Sequence, residues 1–342
     1  MPHKRQSHNK SLLSLPFWQR ALSHVNWLVV SILVAVIIAA VLPASGSAAE
    51  ALKVVVTIAI AGLFFLYGVR LETRQALNAL KNWKLHSVIF ACTYLIFPLL
   101  GLLCLLIPDS VIDAELQHGL LFMTLLPSTV QSSIVFVSIA KGNVAGAVVS
   151  ASLSNLLGVV ITPLLVALTL SNNVGFDASA MGKIALQVLL PFIVGQLVRR
   201  WCTPWVTRHT RFTMLCDRGA IVLVVYSAFS QGVVDGMWSR VSVGNILTLM
   251  TAALVILIAM LTISHTLGKR LGFSRADQAT ILMCGSKKSL ATGVPIATVI
   301  FSAGAVGIMV LPLMIFHQIQ LIVCAALARR LAHTAPPHTI NV

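Results

Sequence analysis

CGSKKSLATGVP, residues 284–295, decides how this chain is read. It lies inside an apolar segment running from about Ala279 to Phe301, long enough to cross a bilayer. Two adjacent lysines, Lys287 and Lys288, sit near its middle. An ammonium at the centre of a membrane helix costs roughly 2.5–3.5 kcal/mol on insertion scales. Gly285, Gly293 and Pro295 flank the pair and are residue types that weaken or break a helix. A charge that costly, at an expected helix break, marks a functional site.

The rest of the chain makes the membrane setting plain. Of 342 residues, 58% are hydrophobic and only 10% charged, against about 25% charged in an ordinary soluble domain. Apolar stretches predict helices near 27–42, 53–69, 85–107, 117–140, 144–170, 181–198, 214–233, 243–268, 278–301 and 304–328. A hydrocarbon core of about 30 Å needs roughly 17–25 helical residues, which all but the marginal first segment supply. The expected fold is all-α, with ten transmembrane helices.

Charge then orients the chain. Alternate loops hold nearly all the basic residues: Lys4, Arg5, Lys10 and Arg20; Arg70, Arg74, Lys81 and Lys84; Lys141; Arg199, Arg200, Arg208, Arg211 and Arg218; Lys269, Arg270 and Arg275; Arg329 and Arg330. The opposite set holds only Lys53, Lys183 and Arg240. By the positive-inside rule both termini are cytoplasmic. The net charge of +15 is therefore a topology signal that also attracts anionic lipid, and nucleic-acid binding is not indicated. Lys287 and Lys288 are the basic residues left over, and every carboxylate, Asp217 included, is assigned to a loop or its edge. Residues 1–26 form a cytoplasmic tail too long for a signal-peptide n-region, so the first helix is retained.

Ten helices with both ends on one side divide into inverted halves, about 27–170 and 181–330, within a single transporter unit, 27–342. In such folds the sites lie at corresponding interrupted helices of the two halves. The fourth helix carries LLPSTVQSSIVF, residues 125–136, in which Pro127 removes a backbone donor. Ser128, Thr129, Gln131, Ser132 and Ser133 make that mid-span run unusually polar. The lysine segment holds the matching place in the second half, adding Ser286 and Ser289. AGAV follows both, at Ala145–Val148 and Ala303–Val306. In the fifth helix Ser150 and Ser154 share a face, with Asn155 beside them; small residues there also suit close packing. His317 in the last helix is a further titratable candidate.

These features together resemble the bile acid:sodium symporter superfamily: ten spans, broken fourth and ninth helices, the turn AKGNVA and SNLLGVVITPLL. GSKKSLATGVP is similar to its SBF-like branch. The resemblance implies a panel domain (helices one, two, six and seven) and a core domain (three to five and eight to ten), with substrate bound between them. It also implies two sodium sites built from helices four and five and a Glu-x-Gly-x-Gln-Asn element in helix nine. Matched through Gly285, the glutamate falls on Met283, the glutamine on Lys287 and the asparagine on Lys288. A thioether and an ammonium are not sodium ligands, so the fold alone does not bring sodium coupling with it.

Three readings of the lysines stay open. One lysine stands as a fixed cation, or exchanges a proton, because burial disfavours its charged form. Alternatively, a lysine is the counter-charge for an anionic substrate, aided by a half-helix N-terminus. The third is structural, a long side chain reaching for water. The sharpest question is whether the Lys287 nitrogen lies among the Ser132, Ser133 and Ser150 oxygens. The expected protein is a multi-pass secondary transporter of the plasma membrane, a bacterial inner membrane, moving a small or amphipathic organic anion by alternating access. Sodium or a proton is the candidate coupling ion. The alternative is a non-transporting or ion-handling regulatory protein on the same fold. No catalytic constellation, metal-ligand spacing or cofactor motif is present, so neither enzyme nor cofactor is expected.

Overall fold

The computed structural model describes residues 27–70, 82–170, 185–236 and 241–333. The expected tail, most of the 70–84 loop and the start of the expected sixth helix lie outside them. The described residues form helices and no strand. In order these are α1 (Trp27–Val41), α2 (Ser47–Arg70), α3 (Trp83–Cys104), α4 (Ala114–Thr124), α5 (Gln131–Ile139) and α6 (Val144–Leu170). Next come α7 (Leu190–Leu197, continuing a π-helical turn at Ala185–Leu189), α8 (Arg199–Arg208), α9 (Thr210–Val234) and α10 (Val243–Arg270). The chain ends in α11 (Arg275–Gly285), α12 (Leu290–Ile300) and α13 (Ala303–His333).

Six of these helices (α2, α3, α6, α9, α10 and α13) are long and apolar enough to cross a membrane, which makes this a multi-pass membrane protein. Their outward faces are apolar, as at Ile58, Leu99, Leu168, Leu215, Ile258 and Ile322. Lipid replaces water as the neighbour of such faces, so burial of apolar surface cannot hold the helices together; close packing and polar contacts must.

The expected spans 117–140 and 278–301 are each two short helices separated by non-helical backbone. α4 stops at Thr124 and α5 begins at Gln131; α11 stops at Gly285 and α12 begins at Leu290. Two of the expected breakers do not break the chain. Gly293 and Pro295 lie inside α12, which runs through both. Pro295 stands at the middle of α12, where its missing N–H leaves the Ala291 carbonyl without its helical donor but does not end the helix. The second interruption is instead Ser286–Ser289, with Ser289 as N-cap accepting from the Thr292 N–H at 3.2 Å.

Helices α1, α2, α7 and α9 pack on one another. Between α2 and α7 the approach is backbone to backbone: a Cβ at Gly68 would run into the Phe192 carbonyl oxygen, and one at Gly195 into that of Phe65. Small residues permit that contact in a bilayer. The short α8 lies against α2, α7 and α9, and the remaining helices form a second group, in which α13 packs along α4, α10 and α12. The turn after α5 ties this group together. Lys141 takes a left-handed φ of 54°, and the Gly142 N–H returns to the Val137 carbonyl at 2.8 Å, closing α5 as a Schellman motif. The Asn143 N–H then reaches the Ala276 carbonyl at the start of α11, at 3.1 Å.

Candidate functional site

The two interruptions meet. The Ser289 N–H donates to the Pro127 carbonyl at 2.9 Å. The Ser128 hydroxyl donates to the Cys284 carbonyl at 2.6 Å and the Ser133 hydroxyl to that of Met283 at 3.3 Å. Backbone groups released where helices stop must find partners inside the protein, since lipid offers none. Each interruption here supplies partners for the other.

Helix α6 braces the crossing. Ser154 Oγ accepts the Ser128 N–H at 3.0 Å, and the Tyr94 hydroxyl donates to the Ser154 carbonyl at 2.6 Å. Asn155 donates from Nδ2 to the Ser128 carbonyl at 2.7 Å and accepts the Thr292 hydroxyl on Oδ1 at 2.6 Å, so one side chain holds both interruptions. The Thr162 hydroxyl takes the Leu125 carbonyl at 2.9 Å. Ser150 is placed differently: its hydroxyl lies 2.7 Å from His86 Nδ1, away from both lysines' nitrogens.

The adjacent lysines have different surroundings, although both are fully buried. Lys288 Nζ donates to the Leu126 carbonyl at 2.7 Å and to the Thr93 carbonyl at 2.8 Å, and lies 4.2 Å from the centre of the Phe97 ring. The free carbonyl at Thr93 has a local cause. Residues Cys92–Ile96 form a π-helical turn, in which the Phe97 N–H bonds to the Cys92 carbonyl. The next donor in that ladder would serve Thr93, but it belongs to Pro98, which has none. The lysine supplies the missing hydrogen bond from another helix.

Among the described residues, Lys287 Nζ has no hydrogen-bond partner, and it sits 4.3 Å from the centre of the Phe136 ring. It does not lie among the Ser132, Ser133 and Ser150 oxygens. Ser132 donates to Thr129 Oγ1 at 2.8 Å, which lies 2.9 Å from Ser133 Oγ. The Ser286 hydroxyl turns back to the Leu282 carbonyl at 2.6 Å.

Gln320, not among the expected site residues, fixes the backbone between the lysines and α12. Its Oε1 accepts the Lys288 N–H at 2.9 Å and its Nε2 donates to the Lys288 carbonyl at 2.8 Å. That orientation also fixes His317. Nε2 of the glutamine lies 2.8 Å from His317 Nδ1, and an amide nitrogen only donates, so Nδ1 is the acceptor and the ring proton sits on Nε2.

A cavity of about 300 Å³ opens between the two helix groups. One wall carries Thr129, Gln131, Ser132, Asn155, Ser289, Thr292 and His317. The other carries Leu28, Tyr67, Phe192, Met214 and Ile221, with Arg70, Asp217 and Arg218. Of the expected site residues, Lys287, Lys288, Ser128, Ser133, Ser150, Ser154 and Ser286 stand behind the wall. Asp217, expected at a loop edge, is two turns inside α9, bonded through Oδ2 to Arg70 Nη1 of α2. Among the described residues, the charges that reach the cavity are therefore arginines and an aspartate, and Lys287 and Lys288 do not line it.

Interrupted helices crossing beside a cavity between two helix groups define a membrane protein of the transporter class. The chain belongs to the SBF-like CPA transporter family, whose model matches residues 26–333. It is 50% identical over 304 residues to an uncharacterized protein of Pseudomonas aeruginosa, covering 88% of this chain and 91% of that one. It is 43% identical over 301 residues to YfeH of Escherichia coli, whose name carries a provisional symporter designation, with 88% and 91% covered. The sodium/bile acid cotransporter 7 of Rattus norvegicus is 28% identical over 310 residues, again covering 88% and 91%.

Proposed function

We propose that this chain is a secondary active transporter of a small or amphipathic organic anion, working by alternating access in a bacterial inner membrane with both termini cytoplasmic. On this reading α1, α2, α7 and α9 are the panel, and the other long helices with the two interrupted pairs are the core. The halves 27–170 and 181–330 are inverted repeats, giving ten spans when each interrupted pair counts as one. The observation that carries the reading is the cavity, walled on one side by residues flanking both interruptions and on the other by the second helix group.

Sodium does not fit the crossing. A hard cation needs converging free oxygens, yet the Leu126 and Thr93 carbonyls are taken by the Lys288 ammonium. The Ser128 and Ser133 hydroxyls are engaged with carbonyls of the other interruption. A second cation there would face the ammonium at short range in a low dielectric. Lys288 is thus the fixed cation of the core, and Lys287, whose nitrogen no hydrogen bond holds, is the group for proton coupling.

Flux of a panel of organic anions into proteoliposomes tests this, with external sodium replaced by choline. Uptake that persists in choline and responds to a pH gradient agrees with the proposal. Uptake that requires sodium contradicts the ion assignment, and no flux for any anion favours a non-transporting role.

A further inference from the structure

We infer that Arg218 is the anion-binding group of the cavity and that it takes a singly charged oxyanion. The inference rests on the transporter reading and names the cargo's chemistry. Two guanidiniums and one carboxylate line the cavity. Arg70 is engaged by Asp217, whereas half-buried Arg218 makes no hydrogen bond or ion pair with any described residue. Among the described residues the lining thus carries one uncompensated positive charge, which a monoanion neutralises and a dianion would overshoot.

The shape of the lining sets the rest of the ligand. Tyr67, Phe192, Met214 and Ile221 offer an apolar bed beside the arginines, with Leu156 and Val159 on the facing helix. A volume near 300 Å³ is at the small end of ligand pockets. A guanidinium presents a planar fork that matches a carboxylate with two parallel hydrogen bonds. Adjacent residues on a helix diverge by about 100°, so Asp217 can hold Arg70 while Arg218 is left for the ligand. The sequence hid this site because Arg218 counts as one of many cytoplasmic-side cations. Its distinction is the missing partner.

Thermal shift of the purified full chain in detergent, with matched ligand pairs, tests the inference. The pairs are naphthylacetate with naphthylacetamide and octanoate with octanamide. The wild type should bind each carboxylate more tightly than its amide. Arg218→Gln should weaken carboxylate binding by about ten- to a hundred-fold and leave the amide response in place. Arg218→Lys should fall between, and Arg208→Gln, outside the cavity, should behave as wild type. An unchanged carboxylate preference in Arg218→Gln would overturn the inference and leave the transporter reading standing. Equal binding of acid and amide by the wild type would overturn it too, pointing to neutral cargo. No binding of any ligand, together with no flux in proteoliposomes, would bring down both.

Discussion

Gln320 grips the backbone of Lys288 at both ends, accepting its N–H at 2.9 Å and donating to its carbonyl at 2.8 Å. The amide stands in for the helical neighbours that Lys288 lacks between α11 and α12. It also fixes the tautomer of His317 on the cavity wall. Gln320→Leu keeps the bulk but orphans both backbone groups, each worth about 1–3 kcal/mol when buried. A clear fall in melting temperature in detergent is expected. An unchanged melt would show that the pairing adds nothing to stability.

Lys288 makes the corresponding contribution across the core. Lys288→Met removes the ammonium and leaves the Leu126 and Thr93 carbonyls without partners, again at about 1–3 kcal/mol each. Reintroducing a donor at Pro98 should help, because its N–H would serve Thr93 within α3. Pro98→Ala is therefore expected to recover part of the stability lost in Lys288→Met. No recovery in the double variant would refute the link between the π turn and the lysine.

Lys287 should behave in the opposite way. No hydrogen bond with a described residue is lost when it is replaced, so Lys287→Met, which keeps the bulk and opens no cavity, should insert normally and melt close to wild type. Its effect belongs in transport: accumulation driven by a pH gradient should be lost. Gradient-driven uptake at wild-type level in this variant would remove Lys287 from coupling.

The backbone contact between α2 and α7 gives a structural prediction. A methyl at Gly68 would collide with the Phe192 carbonyl, which a flexible side chain cannot relieve. Gly68→Ala should destabilise by about 1–3 kcal/mol, read as a lowered melt. Gly62→Ala, with nothing near the new atom, is the matched control.

The sequence carried the membrane setting and the place of the crossing because charge is scarce in a bilayer. Lys287 and Lys288 stood out once the other basic residues were assigned to loops, and Pro127 flagged its own interruption. Pro295 misled because a proline costs one helical hydrogen bond without always ending a helix, and α12 runs on through it. The separate fates of the two lysines were not legible. They depend on backbone angles across Ser286–Ser289, where helical periodicity gives no direction. Arg70 and Asp217 were hidden for another reason: their pairing joins residues 147 apart in sequence, and α9 starts earlier than hydropathy indicates. Pro98 was a usable signal, a missing donor in mid-span whose substitute had to come from elsewhere.

On the proposed function, a lysine ammonium fills the role of a bound metal cation at the crossing. Equilibrium binding of radioactive sodium to the purified full chain, with choline as the balancing salt, tests it most directly. The wild type should show no saturable sodium binding. Saturable sodium binding that choline does not displace would contradict it.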